Sequence, residues 1–396
     1  MLRKRHRMTT DFEQVHQKDP FPTEDHPADS FFISTLAWFA SQCQISSAAV
    51  KLRDTLPASL QLYVAEALDV KLYSFDTVQG TFFMQQTTDA LGPNVTWMDL
   101  DKTNKFLLST SVANFDKREK TGAVFSAAIA PNGTLTPVNV VPSPEGPVSL
   151  EGSPDGKIVM VASFTGASLT SYKLGADGKL SQPGQNVIFT GSGPVPGRQA
   201  AAAAHQVQLD PTGKLLLVPD LGSDRIRTFS LEGNGNLVRG AILFYVVCEL
   251  SNEVIVVELS DIQANTVSFK QVITTLPKGT NATNFFAAEV LITPDGKFLY
   301  VTNRQTTPDA RVDDNTFAIY ARNQTDGTLI PFGFSPTGGR GSQNFAFSPD
   351  KAASLVVVTN KDSNLVTIHR RDPGSGALNQ IASVPCLAPS VALFRG

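Results

Sequence analysis

The fold is decided by residues 293–304, which read Thr-Pro-Asp-Gly-Lys-Phe-Leu-Tyr-Val-Thr-Asn-Arg. Pro presets the backbone at the first turn position and Gly supplies a positive φ at the exit, so Pro-Asp-Gly predicts a tight turn. The turn leads into four apolar residues, 298–301, which predict a strand buried on both faces. The segment therefore predicts a β-hairpin whose second strand lies inside an all-β core.

The same pattern recurs along the chain. Clear copies begin at Ser153, Asp210, Thr293 and Ser348, and a weaker copy begins at Asp99. Two further copies keep only the apolar strand, at residues 62–67 and 244–250. Seven units from about residue 60 onward correspond to roughly 48 residues each, a length typical of propeller repeats. Because radial stacking buries both faces of small sheets, we predict a seven-bladed β-propeller over residues 58–396.

The fifth unit is too short. Pro154 and Pro211 are 57 residues apart and Pro294 and Pro349 are 55 apart, but Pro211 and Pro294, which must enclose two units, are only 83 apart. About 25 residues are missing relative to two full repeats. We therefore predict that blade five is incomplete and lacks at least one strand, which leaves an unpaired edge.

Residues 1–57 precede the repeats and are predicted to form a non-propeller N-terminal extension. An apolar run, 31–40, and a small-residue patch, 46–49, resemble the apolar and cleavage regions of a secretory leader, but residues 11–29 are acidic. A leader normally begins with a basic segment. Extracellular and cytoplasmic locations therefore both stay open, and a short buried or surface helix is the alternative to a leader.

Composition excludes several classes of protein. Lys plus Arg is 33 and Asp plus Glu is 36, for a net charge of −3, which argues against nucleic-acid binding by overall positive charge. No apolar run reaches the roughly 18 residues of a membrane helix. The three cysteines form no C-x-x-C pair, no residue cluster has metal-ligand spacing, and no Gly-rich loop opens a helix. We expect no metal and no cofactor; the oligomeric state is left open.

One aligned position stands out just beyond the buried strand of each repeat. It is neutral in four consecutive units and charged in the next three, where it is Glu249, Arg304 and Lys361. Equivalent positions lie at the same end of a propeller, so these three charges are expected to lie side by side on one rim. A carboxylate between two cations can bind an anionic substrate and position a base. A solvated surface salt bridge is the alternative.

Two further residues are candidates for the same site. His205 precedes a strand, and a neutral imidazole can accept a proton near pH 7, so we predict a catalytic base; the alternative is a loop histidine without a role. Arg198, in Gly-Arg-Gln, is a candidate ligand for an anionic group. His369 alternates within the strand at 366–370 and is expected to have no chemical role.

Residues 94–97, 197–199, 205–222 and 293–304 resemble the lactonase family of seven-bladed β-propellers. That family includes 6-phosphogluconolactonases and fungal 3-carboxy-cis,cis-muconate cyclases, and the sequence looks closest to the fungal members. The likeness extends over about residues 60–396.

The resemblance implies particular site residues. The family's site His, fifth-blade Glu and sixth-blade Arg fall on His205, Glu249 and Arg304. A second site Arg, in a Gly-Pro-Arg-His segment, falls in the missing stretch before Ala241. The first His of the family's Pro-His-x-His is Ala203 here.

The resemblance implies an enzyme that opens a sugar lactone by hydrolysis. Arg304 would polarise the carbonyl, His205 or Glu249 would activate water, and Arg198 and Lys361 would bind the anionic group. The expected partner is a small anionic lactone or carboxylate, such as 6-phosphogluconolactone. Two alternatives stay open: a 3-carboxy-cis,cis-muconate cycloisomerase, and a non-catalytic propeller that binds a partner on one rim, since this fold hosts many functions.

Overall fold

The computed structural model describes residues 33–40, 52–210, 212–231, 242–261, 266–305 and 315–395. These residues form antiparallel strands and three short 3₁₀ helices, at Phe115–Lys117, Ala282–Asn284 and Lys361–Ser363. In chain order the strands are β1 (Ile33–Ala40), β2 (Ser59–Ala65), β3 (Val70–Asp76), β4 (Thr81–Thr88), β5 (Val95–Leu100), β6 (Phe106–Ser111), β7 (Thr121–Ile129), β8 (Leu135–Pro144), β9 (Pro147–Gly152), β10 (Ile158–Ser163), β11 (Ser168–Lys173), β12 (Asn186–Ile188), β13 (Gln208–Leu209), β14 (Leu215–Asp220), β15 (Arg225–Ser230), β16 (Ile242–Cys248), β17 (Glu253–Asp261), β18 (Thr266–Thr274), β19 (Phe285–Ile292), β20 (Phe298–Gln305), β21 (Thr316–Arg322), β22 (Leu329–Pro336), β23 (Ser342–Phe347), β24 (Leu355–Asn360), β25 (Leu365–Arg371), β26 (Leu378–Pro385) and β27 (Val391–Arg395).

The strands make seven sheets, which are the blades of the predicted propeller. In blade order they are β27–β2–β3–β4, β5–β6–β7–β8, β9–β10–β11–β12, β13–β14–β15, β1–β16–β17–β18, β19–β20–β21–β22 and β23–β24–β25–β26. The first strand of each sheet is the innermost. Most neighbouring blades contact one another through their innermost strands, and between blades four and five the contact is β1 with β14. Strand β27 contacts both β23 and β5, so the ring is closed by a strand from the far end of the described chain.

The repeated turn has the predicted chemistry. Gly296 has a φ of +67°. The hydroxyl of Thr293 donates to Asp295 Oδ1 over 2.6 Å and accepts from the amide of Phe298 over 3.1 Å, which locks the turn between β19 and β20. The strand that follows is buried along residues 298–303. The turn therefore delivers each second strand into the interface between two blades, where both of its faces are covered.

Blade five has four strands, so the prediction of an incomplete blade with an unpaired edge is wrong. The described residues around the fifth unit supply three of these strands, β16, β17 and β18. The innermost place is taken by β1, which pairs antiparallel with β16 from Ile33 opposite Cys248 to Ala40 opposite Ile242. Over β1, the short-helix alternative and the prediction of a non-propeller extension are therefore both wrong. Residues 1–32 and 41–51, including the small-residue patch at 46–49, lie outside the described residues.

His369 differs from its predicted surroundings. The sequence at 366–370 alternates, which is typical of a half-exposed strand, but β25 lies between β24 and β26. Val366 and Ile368 pack in a core shared with blade one, and His369 packs against Phe317 of blade six. His369 is 2% exposed, and its Nε2 lies 3.1 Å from Thr337 O and 3.1 Å from Thr367 Oγ1. It is a buried structural side chain.

Within the described residues, no helix is both long and apolar enough to cross a membrane.

Candidate active site

A cavity of about 360 Å³ lies among the innermost strands and the strand-end loops. Its volume is in the range of small-molecule sites in proteins, roughly 300–1,000 Å³. The lining residues come from blades one, two, three, four, six and seven. They are Glu66, Ala67, Asn94, Val95, Thr96, Trp97, Val112, Val148, His205, Gln206, Ala288, Glu289, Arg304, Gln343, Asn344, Lys361, Ala388 and Ser390.

The position aligned across the repeats does mark one end of the propeller. Four of its seven residues line the cavity: Ala67, Val112, Arg304 and Lys361. A fifth, Phe164, packs edge-to-face against the His205 ring at 5.6 Å between centroids. The aligned position therefore marks the end of the propeller at which the cavity lies.

Glu249 is the centre of an ion cluster. Its Oε1 accepts hydrogen bonds from Arg304 Nη2 over 3.0 Å and from Arg198 Nη2 over 3.1 Å. The Glu249 side chain is 9% exposed, and the Arg198 guanidinium also lies 5.9 Å from the centroid of the Phe286 ring. Two cations thus flank the carboxylate, as the sequence predicts, but the second is Arg198 rather than Lys361.

The cluster and the cavity share one residue, Arg304. Glu249 and Arg198 are outside the lining of the cavity, whereas His205, Arg304 and Lys361 are all part of it. Because one Glu249 oxygen already accepts from two guanidinium groups, the geometry fits a carboxylate that positions Arg304 better than one that activates water.

The loop that carries Arg198 and His205 is fastened to the β14–β15 turn. Ala203 N donates to Asp220 Oδ1 over 2.7 Å, and Gln199 Nε2 donates to Leu221 O over 2.7 Å. The approach is so close that a Cβ on Gly222 would lie 1.8 Å from Ala201 O. The small side chains of the alanine run at 200–204 fit this close approach, because Ala202, Ala203 and Ala204 are all buried.

Asp220 is itself held by a buried salt bridge. Arg227 Nη2 donates to Asp220 Oδ2 over 2.8 Å, and Ser223 Oγ donates to the same oxygen over 2.8 Å. The Asp220 side chain is fully buried. A buried carboxylate that is fully hydrogen-bonded fixes its neighbours in one geometry, so this network orients the loop that ends at His205.

Bulges in the innermost strands turn residues toward the cavity. The pairing of β5 with β6 skips Thr96, and the pairing of β23 with β24 skips Gln343; both skipped residues line the cavity. In β9 the skipped residue is Val148, which also lines the cavity. β-Bulges re-aim side chains next to active sites. The pairing of β1 with β16 skips Ser34 at the matching place, so β1 follows the backbone pattern of the other innermost strands.

The cavity contains two carboxylates that sequence reasoning missed. Glu289 lies on β19 and is 5% exposed, while Glu66 follows β2 and accepts a hydrogen bond from Lys71 Nζ over 2.7 Å. The one available signal for Glu289 was its place as the single charge in the apolar run at residues 285–292. In the described part of the chain, no group of three or more His, Cys, Asp and Glu side chains is placed to hold a metal ion.

Comparison with known proteins agrees with this architecture. Residues 62–243 and 238–394 match the family model described as a lactonase, 7-bladed beta-propeller. A probable 6-phosphogluconolactonase of Arthroderma benhamiae is 29% identical over 330 residues, which cover 76% of this chain and 80% of that protein. A 6-phosphogluconolactonase of Formosa agariphila is 27% identical over 342 residues, covering 79% of this chain and 91% of the relative.

Solved structures show the same fold. The periplasmic gluconolactonase of Pseudomonas aeruginosa superposes with a TM-score of 0.72 at 22% identity, over 85% of this chain and 99% of that one. A Lactobacillus plantarum protein superposes with a TM-score of 0.73 at 22% identity, over 85% of this chain and all of that one. At this identity the likeness establishes the fold alone.

The comparisons also bear on three narrower expectations from the sequence: a closeness to fungal members, the cycloisomerase alternative and secretion. The Arthroderma and Formosa relatives match at nearly equal identity, so a special closeness to fungal members is not supported. The relatives described here are named for lactone hydrolysis, and nothing in them supports the muconate cycloisomerase alternative. Secretion stays a prediction. The matches to the family model begin within β2 and end within β27, so together they include strands of all seven blades. The chain belongs to the seven-bladed β-propeller lactonase family.

Proposed function

We propose that the protein hydrolyses the ring of a small anionic sugar lactone, with 6-phosphogluconolactone as the leading substrate. The observation that carries this proposal is the meeting of His205, Arg304 and Lys361 in one cavity of about 360 Å³. These three side chains supply a base, a charge for the developing oxyanion and a charge for the substrate's anionic group. The names of the relatives point to the same substrate class.

Arg304 is suited to the carbonyl oxygen. Its side chain is 25% exposed and is held by Glu249, so the guanidinium has a fixed direction and still faces the cavity. A preorganised cation stabilises the charge that develops on the carbonyl oxygen as water attacks. The ion pair with Glu249 therefore contributes to catalysis by holding Arg304 in place.

His205 is suited to activating water. Its backbone amide is tied to Pro219 O over 2.9 Å and its ring packs on Phe164, so the imidazole is held at the cavity wall. A neutral imidazole takes a proton from water near neutral pH. Lys361, exposed at the start of a 3₁₀ helix, would bind the phosphate. Side-chain amides in the lining, such as Asn94, Gln206 and Gln343, are suited to sugar hydroxyls.

The test uses two lactones and the full chain. The purified protein should accelerate opening of 6-phosphogluconolactone above its spontaneous rate. Arg304→Gln and His205→Asn are each expected to lower kcat by about 100-fold or more, because each removes a group that acts in the transition state. Lys361→Met should raise KM for the phosphorylated lactone by about 10-fold and leave KM for uncharged gluconolactone unchanged.

The matched control is Lys351→Met, which removes an exposed lysine paired with Asp54 at 2.5 Å, away from the cavity. Its kinetics should equal those of the parent protein. Folded protein that gives no acceleration of either lactone would refute the proposed function, and the 3-carboxymuconate assay would then separate a cycloisomerase from a binding module.

A further inference from the structure

Glu289 reaches the cavity because β19 carries a bulge, as other innermost strands do. The pairing of β19 with β20 runs from Ala287 opposite Asn303 to Val290 opposite Val301, so both Ala288 and Glu289 face Thr302. Consecutive residues of a regular strand point to opposite faces, yet Ala288 and Glu289 both line the cavity. The bulge therefore directs a carboxyl group into the cavity wall on the strand next to Arg304.

The Glu289 carboxyl group is buried and only lightly hydrogen-bonded. Val290 N donates to its Oε1 over 3.2 Å and Asn344 Nδ2 donates to its Oε2 over 3.4 Å. Among the described residues it has no ion-pair partner, whereas Glu249 has two arginines and Glu66 has Lys71. Burial raises the pKa of Glu289 to about 7, so near neutral pH a large share of this group carries its proton.

The charged and titratable groups that share the cavity with Glu289 come from several blades. They are Glu66, His205, Arg304 and Lys361. Glu66 is paired with Lys71, and Glu249 is paired with Arg198 and Arg304. Glu289 differs from both, because it reaches the cavity and none of the cations in the described part of the chain is paired with it.

We propose that Glu289 is the general acid of the reaction and donates its proton to the ring oxygen of the lactone as the ring opens. This role rests on the proposed lactone hydrolysis. It assigns Glu289 to the leaving oxygen, His205 to the attacking water and Arg304 to the carbonyl oxygen.

The proton balance of the step is complete. The water oxygen forms a bond to the carbonyl carbon while His205 takes one water proton. The bond between that carbon and the ring oxygen then breaks, and the ring oxygen receives the proton of Glu289 and becomes a hydroxyl. His205 returns its proton to Glu289 through solvent, and the new carboxylic acid loses a proton to water. An alkoxide is a poor leaving group, so protonation during bond breaking lowers the barrier.

The test compares Glu289→Gln with a matched control, Glu151→Gln. Glu151 lies on β9, pairs with Lys102 over 3.2 Å and also has a pKa raised by burial, but it is outside the cavity lining. Glu289→Gln should lower kcat for 6-phosphogluconolactone by about 100-fold with KM nearly unchanged. Glu151→Gln should stay within about two-fold of the parent. Circular dichroism checks that both variants are folded.

The pH profile separates an acid from a structural residue. A general acid works in its protonated form, so kcat of the parent should fall as pH rises through about 7, and Glu289→Gln should lose that fall. An active parent with an unaffected Glu289→Gln, or a slow Glu289→Gln that keeps the same fall, would overturn the assignment and leave lactone hydrolysis standing. An inactive parent would overturn the proposed function itself, and this assignment with it.

Discussion

Glu289 links the stability of the protein to pH. Its pKa is raised in the folded state from the ordinary 4.5 of a glutamate side chain to about 7, because burial disfavours the charge. The folded state therefore holds the proton more tightly than the unfolded chain does. The contribution of Glu289 to the free energy of unfolding is fully present below about pH 4.5 and is lost as the pH rises through about 7.

The consequence can be measured by thermal unfolding. Glu289→Gln replaces the carboxyl by a neutral group of the same shape, so it should leave Tm unchanged near pH 4.5 and raise it at pH 8. A pKa difference of this size corresponds to about 3 kcal/mol at most. Equal Tm differences between variant and parent at both pH values would contradict this expectation. Gain of stability with loss of turnover is the usual mark of a strained functional group.

At the scale of single elements, the loop that carries Arg198 and His205 depends on Gly222. A Cβ at that position would lie 1.8 Å from Ala201 O and 2.8 Å from Ala203 N, and both are backbone atoms. Gly222→Ala must therefore push the loop away from the β14–β15 turn.

We expect Gly222→Ala to lower kcat/KM for the lactone by at least about 10-fold, because a small misplacement of reacting groups has a large effect on rate. The matched control is Gly333→Ala on β22, where a Cβ would meet nothing within 4 Å. Steady-state kinetics give kcat/KM for both variants. Equal values would show that the loop does not position the site.

Some features of these elements can be predicted from the sequence, and others cannot. The turn at 293–296 was predictable because its chemistry is local, and Glu249 and Arg304 were found because repeats share one register. The Arg198 partnership was not predictable, since it depends on how a long loop folds back. Glu289 was missed because a bulge has no local signature: in a regular strand, the position after Ala288 would face away from the cavity.

At the scale of the whole molecule, the N-terminal segment completes the ring. The pairing of β1 with β16 joins residues more than 200 positions apart, which no local pattern could reveal. Without β1, blade five would lack its innermost strand, and β16 would have an unpaired edge beside β19.

Two truncations test this arrangement. A chain that begins at residue 31 retains β1, and one that begins at residue 46 lacks it. We expect the shorter chain to unfold about 10 °C lower than the longer one, since several kcal/mol of pairing are lost. Differential scanning calorimetry gives the comparison, and identical Tm values would mean that β1 adds nothing to blade five. Lactonase measurements therefore need the full chain rather than the repeats alone.

Two strands also connect the parts of the chain before and after the β8–β9 turn, because each part contributes one strand to a blade of the other. Residues before β9 supply β1 to blade five, and residues after it supply β27 to blade one. A backbone cut at the β8–β9 turn would thus yield two fragments, each holding a strand that the other needs. The protein is accordingly suited to reconstitution from two separately produced fragments. Recovery of turnover on mixing would report that the fragments have associated.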